Sequence, residues 1–263
     1  MNPTFSELPA ILWEWLSVFD KTKPLIFTQW EFWLFFLVVM LGFSAVHRRI
    51  AMRNAFLFGI SLFFYFKTSG LFWLLLVFST LTDYGIAFKI AGSSTPWRRK
   101  GWLALSLLLN LGALSYFKYA YFFTDAANKI IQPDSPFYVV NWLAVWANQF
   151  APASINPGFS IDSIALPVGV SFFTFQTMSY AIDVYRGQLK PVKNILDFGF
   201  YVSFFPQLVA GPIVRASEFI PQIYKPFNLS RADWSYATFL IFNGLAKKLI
   251  LADYLAVQFV DKV

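Results

Sequence analysis

The chain has 263 residues, 57% of them hydrophobic and 13% charged, with a mean hydropathy of +0.55; soluble domains carry about 25% charged residues, so lipid must be most of this chain's solvent. The 33 Phe, 12 Tyr and 10 Trp fit that solvent, because Trp and Tyr favour the water–lipid boundary. The net charge of +7 does not point to nucleic acid, since the cations sit in short clusters between apolar runs ("HRRIAMR", "WRRK", "YRGQLKPVK"), and the absence of cysteine excludes disulfides, thiolate nucleophiles and Cys-ligated metals.

Within residues 1–29, the stretch 7–20 spaces Leu8, Ile11, Leu12, Trp15 and Phe19 helically, with Glu7, Glu14 and Ser17 opposite. It is too short and too charged to span, and reads either as an interfacial amphipathic helix or as a packed helix outside the bilayer. Spanning candidates follow at 30–46, 55–66, 70–90, 102–123 and 165–184. A crossing needs about 20 residues, so the 55–66 run must borrow its flanks. The loops 47–53 (Arg48, Arg49, Arg53), 91–101 (Arg98, Arg99, Lys100) and 185–194 (Arg186, Lys190, Lys193) are basic and the alternating ones poorer. That places the basic set in the cytoplasm and the amino terminus outside. The 124–164 stretch is then an extracytoplasmic loop with four prolines, and Trp142 and Trp146, one turn apart, predict a short helix on the outer leaflet.

Residues 215–235 break the alternation, because Arg215, Lys225 and Arg231 would face outside. A re-entrant segment at 195–214 removes the conflict. Its "FFPQLVAGPIVR" frees backbone groups that survive at membrane depth only when buried in protein or lining a wet cavity. A last apolar stretch, 236–260, contains Lys247 and Lys248.

The segment "LPVGVSFFTFQTMSYAIDVYRG" (166–187) holds the most polar groups. Gly169, Gln176 and Asp183 recur every seven residues on one helical face, with Ser179 beside them. Intramembrane polar residues turn toward partners or water, so this face lines an interior cavity, or else its residues are helix–helix glue, with Asp183 and Arg186 an interfacial pair. Asp83 and Asn110 raise the same choice, and helix pairing is the simpler role for Asp83. His47 adjoins Arg48 and Arg49 at a membrane boundary and reads as a polar cap, not a catalytic base, because no partner motif accompanies it. No phosphate loop, serine-nucleophile elbow or zinc motif is present.

"LPVGVSFFTFQTMSYAIDVYRGQLKP" followed by "FGFYVSFFPQLVAGPIVRASEFIPQI" resembles the membrane-bound O-acyltransferase family, in its bacterial alginate and polysaccharide O-acetylation branch; "NLGALSYFKYAYFF" and "NGLAKKLILADYLA" resemble it too. The resemblance implies an all-α, polytopic membrane protein, a multi-helix bowl around a tunnel in a bacterial inner membrane. Gln176, Ser179, Asp183, Gln207 and Arg215 become the tunnel-lining candidates. It further implies no bound cofactor or metal, and an acyl donor thioester such as acetyl-CoA arriving from the cytoplasm. The acyl group would pass through an extracytoplasmic acetylation partner protein to a polysaccharide acceptor. The base expected in this family is a histidine in a later apolar segment, which would lie beyond Val263, and His47 does not match it. Residues 1–263 are then expected to be one transmembrane domain, the amino-terminal part of a longer acyltransferase, with the bowl incomplete and inactive alone. The 124–164 loop departs from the family by being longer. A transporter or channel is the alternative, since broken segments and buried charges mark those too, but no inverted repeat is evident; a purely structural scaffold fits the polar face of 166–187 least well.

Overall fold

Helix α1 (Trp30–Val46) is apolar all round and buries one narrow stripe, Phe32, Phe35 and Val39. Spacings of three and four residues put these side chains on one face. They meet Phe64 and Phe205 in an aromatic cluster, with Phe64–Phe205 ring centroids 5.1 Å apart and Phe35–Phe205 5.7 Å. The computed structural model describes residues 25, 27, 29–132, 136–150, 164, 166–256 and 258. The 7–20 stretch read as amphipathic and residues 133–135 and 151–163 of the 124–164 stretch lie outside them.

The short 55–66 run does borrow its flanks: α2 covers Ile50–Ser69, 20 residues, or about 30 Å at 1.5 Å per residue, enough to cross. It stops at Gly70, whose φ of 57° is a conformation that side-chain-bearing residues avoid. A single 3-10 turn (Gly70–Phe72) leads into α3 (Trp73–Gly92). Helix α4 (Pro96–Leu114) starts with proline in its first turn, where the missing N–H has no intrahelical partner to lose. It continues through a π-helical turn (Ser115–Tyr119) into α5 (Ala120–Ile131), so the first eight residues of the 124–164 stretch are still helical. Helix α6 (Trp142–Phe150) carries Trp142 and Trp146, both exposed, as the spacing predicted, and packs Ala144 against Leu71 and Phe72.

Helix α7 (Val170–Tyr185) is central, packing against α3 and α4 on one side and also touching α8 (Ile195–Ser203), α9 (Phe205–Ala210) and α10 (Ala216–Ile223). Only Phe175 among its residues is exposed. The 195–214 stretch is therefore two short helices rather than one span. The break falls at Phe204 because Pro206 has no N–H to give the Val202 carbonyl and its ring crowds that preceding turn, so the helix restarts at Phe205 with the proline in its first turn. The Phe205 N–H, freed there, donates to Ser61 Oγ at 3.2 Å. Helix α8 runs parallel to α2, with Asn54 against Asp197, Phe58 against Gly199 and Ser61 against Phe205. The chain then comes back: Tyr224, just past α10, donates to Asp197 at the start of α8 (2.7 Å).

The chain divides into two compact units, one ending at Lys225 and one beginning at Pro226. The second consists of α11 (Arg231–Ala246) and a π-helical continuation (Lys247–Asp253), in which Lys248 pairs with Asp253 at 2.5 Å. Two helical stretches, Ile50–Gly92 and Pro96–Ile131, are long and apolar enough to cross a membrane. Among the described residues all regular structure is helical, and with the composition this makes an all-α membrane protein.

Candidate functional site

The site is built on α7 and begins at the bend that starts it. Gly169 precedes the helix with φ 73°, and a Cβ placed there would sit 2.7 Å from the carbonyl oxygen of Leu208. Glycine is required on both counts, since it tolerates positive φ and lets the α9 backbone approach. Next to it the Val168 carbonyl accepts from Tyr65 at 2.7 Å, tying the bend to α2.

At 100° per residue, Gln176 and Asp183 lie about 20° apart around α7, and Thr177 lies about 100° from Gln176. The helix thus has two polar faces. On the Thr177 face, Asp83 of α3 accepts from Ser106 (2.5 Å) and from Asn110 Nδ2 (2.7 Å), both on α4. Asn110 Oδ1 accepts in turn from Thr177 (2.9 Å) and Ser79 (3.3 Å). Both carboxylate oxygens of Asp83 and both ends of the Asn110 amide are partnered, at 1% and 5% exposure. This is the helix-pairing role the sequence predicted for Asp83.

The Gln176 face is different. Ser179 donates to the Gln176 carbonyl (2.9 Å), and the Tyr201 hydroxyl lies between that carbonyl (3.3 Å) and the Val214 carbonyl (3.1 Å). The side chains are not satisfied, however. Gln176 Oε1 and Asp183 Oδ2 are buried and find no hydrogen-bond partner among the described residues. The same holds for Gln207 Nε2 on α9 and Ser203 Oγ at the end of α8. A buried polar group left unpaired costs about 1–3 kcal/mol, and each such group in a native structure marks a place where water, an ion or a ligand is owed.

Of the sequence-derived candidates, the structure brings Gln176, Ser179 and Asp183 onto one face. It buries Gln207 on α9, the helix whose Leu208 abuts Gly169. Arg215 is exposed and occupies the N-cap position of α10, with no side-chain hydrogen bond to the helix. Asp183 and Arg186 do not form the interfacial pair, because Asp183 is buried and Arg186 lies exposed beyond the helix end. That end is held instead by Arg99, which donates to the Tyr185 carbonyl (2.6 Å) with its guanidinium over the Tyr185 ring. His47 is half-buried, with Nδ1 2.8 Å from the Ser44 carbonyl of its own helix.

Sequence reasoning missed a further polar cluster. Arg53, counted there as a loop charge, is buried and donates to the carbonyls of Ile223 and Lys225, capping α10. Asn54 and Tyr224 donate to opposite oxygens of Asp197, at 2.8 and 2.7 Å. Burial raises the Tyr224 hydroxyl pKa, and its bond to Asp197 raises it further. Nothing local announces this cluster, because Asn54 and Asp197 are 143 positions apart.

No family model matches the chain, and no solved structure matches it. Among characterised sequences it is 32% identical over 234 residues to the "Probable alginate O-acetylase" of Pseudomonas aeruginosa, covering 88% of this chain and 41% of that protein. It is 30% identical over 235 residues to the protein of the same name in Pseudomonas putida (89% and 44%). It is also 31% identical over 219 residues to the "Peptidoglycan O-acetyltransferase" of Helicobacter pylori (73% and 37%). The chain spans less than half the length of these relatives. Through the stretch it shares with them, it belongs to the membrane-bound O-acyltransferase family, in the branch of the bacterial polymer O-acetylases.

Proposed function

We propose that this chain lines part of the transfer tunnel of a multi-pass O-acetyltransferase in a bacterial inner membrane. The donor is a cytoplasmic thioester such as acetyl-CoA. The acetyl group goes to an exported polysaccharide, by way of an extracytoplasmic acetylation partner protein. The observation that carries the reading is the Gln176 face of α7, where an amide oxygen and a carboxylate oxygen are buried without partners. Acceptors of this kind suit the N–H and O–H groups of an entering substrate, and hold it in place while the acyl carbon is attacked. The relatives' names supply the reaction class.

In this reaction a hydroxyl oxygen attacks the thioester carbonyl, a general base takes the hydroxyl proton, and the thiolate leaves. His47 does not suit the role of base: it sits half-buried at a helix end and is engaged with its own backbone. The histidine is expected from residues other than those of this chain. The 195–214 segment is re-entrant in this reading, supported by the return of Tyr224 to Asp197.

The test is a chimera in which this chain replaces the matching part of the Pseudomonas aeruginosa alginate O-acetylase, assayed for ester content of the exported polymer. Restored acetylation is expected, falling about tenfold or more in Gln176→Met and Asp183→Asn, the worth of one lost substrate hydrogen bond. Full acetylation in both variants overturns the role of this face, and a His47→Ala loss overturns the assignment of the base.

A further inference from the structure

We infer that the seam between α3 and α4 is a binding site for an anionic phospholipid. This inference is independent of the acyl-transfer reading and rests only on the protein being embedded in a bilayer. At the α3–α4 turn an open groove of about 640 Å³ is lined by Lys89, Gly92, Arg98, Gly101, Trp102 and Leu105. The two glycines keep it open, since a Cβ at either would meet nothing within 4 Å. Lys89 and Arg98 are exposed, and no carboxylate pairs with either among the described residues. Ser93 is turned onto the Lys89 carbonyl (2.6 Å), closing the last turn of α3 behind the lysine.

Beyond the groove the two helices present further side chains along the same seam. On α4 the positions 98, 102, 105, 109 and 113 follow spacings of four and three, one face of a helix; on α3 the positions 75, 82 and 89 recur every seven residues, also on one face. A second, separate cavity of about 40 Å³ lies further along that seam, walled mainly by Leu75, Phe78, Leu109, Ala113 and Phe173, with Ser79, Asp83 and Asn110 of the closed network at its edge. From Arg98 to Ala113 the seam is 15 residues, about 22 Å. Two cations at a membrane boundary, a partly buried tryptophan beside them and a largely apolar seam leading away match the parts of a lipid with a phosphodiester headgroup. Basic pockets between membrane helices hold headgroups of net negative charge; a zwitterionic phospholipid presents the same phosphodiester, but its own cation offsets the attraction.

The test is thermal unfolding of the purified chain in detergent at physiological ionic strength. Phosphatidylglycerol is compared with phosphatidylcholine of the same acyl chains. Phosphatidylglycerol at ten times its dissociation constant is expected to raise Tm about 3–6 °C more than phosphatidylcholine does. The Lys89→Gln/Arg98→Gln double variant should lose that difference. Gly101→Trp, which fills the groove and leaves both charges, should lose it too. Equal shifts from both lipids, or selectivity retained in either variant, overturn the site. A full shift from sodium phosphate or coenzyme A alone would assign the groove to a soluble phosphate and overturn the lipid assignment.

Discussion

Asp83 and Asp183 are both aspartates buried among helices, and the same helix, α7, faces the first and carries the second. Around Asp83 every polar atom is answered: Ser106, Asn110, Thr177 and Ser79 close a network with nothing left over. Around Asp183 one carboxylate oxygen and the nearby Gln176 amide oxygen have no partner among the described residues. Burial alone therefore does not distinguish the two aspartates. Completeness does, because a closed network returns the desolvation cost of its members within the fold, whereas an open one leaves that cost to be met by whatever fills the site.

The largest expected effect tests the closed side. Asp83→Leu leaves the Ser106 hydroxyl and one Asn110 N–H facing an apolar side chain, and should cost about 3 kcal/mol of stability. The check is thermal unfolding in detergent. A change below about 1 kcal/mol would mean that the network is not the lock it resembles.

Gln176→Met sharpens the comparison from the other side. It removes an unsatisfied oxygen at nearly constant volume, so stability should stay within about 1 kcal/mol of the parent or rise. In the acetylation assay the same variant should lose activity. Destabilisation as large as that of Asp83→Leu would erase the distinction between the two faces.

The smallest effect belongs to an exposed box at the start of α11, where solvent covers any imperfection. Asp233 accepts from the Ser230 hydroxyl (2.7 Å) and backbone N–H (2.9 Å), while the Ser230 hydroxyl oxygen accepts from the Asp233 N–H. The hydroxyl and backbone hydrogen bonds hold its carboxyl below the usual carboxylate range. A folded pKa below the unfolded one stabilises the helix above the unfolded value, about 3.9, and loses that contribution as pH falls through the lower folded value. Once each rate is divided by the intrinsic exchange rate at its own pH, protection of the amides in the first turn of α11 should therefore be slightly lower at pH 3 than at pH 6, and Ser230→Ala should flatten the difference.

Much of this was legible in the sequence where the information is periodic. The seven-residue spacing of Gln176 and Asp183 placed both on one face, and Pro206 with Gly211 marked the place where a span could not continue. The 20-residue length of α2 followed from the need of a 12-residue run to borrow its flanks. Arg53 was not legible. Charge counting treats every arginine near an apolar run as a loop cation, whereas this one is spent on the carbonyls that end α10. The same limit hid Asn54, Asp197 and Tyr224, because long-range pairing leaves no local pattern. The orphaned oxygens were not legible either: a sequence shows that Gln176 is polar and faces inward, not whether a neighbour answers it.

The contact between Arg53 and α10 also has a consequence in time. Its acceptors lie 170 and 172 positions downstream. At a synthesis rate of about 5–20 residues per second, Arg53 emerges roughly ten to thirty seconds before the carbonyls that will receive it exist. Throughout that interval the guanidinium must stay solvated at the bilayer boundary, so the first turns of α2 cannot settle to their final depth until the chain has been extended through Lys225. The order of events is then reversed from the order of the sequence: the second helix of the bundle is among the last to be finished, and a ribosome stalled before residue 223 leaves it waiting at the water's edge.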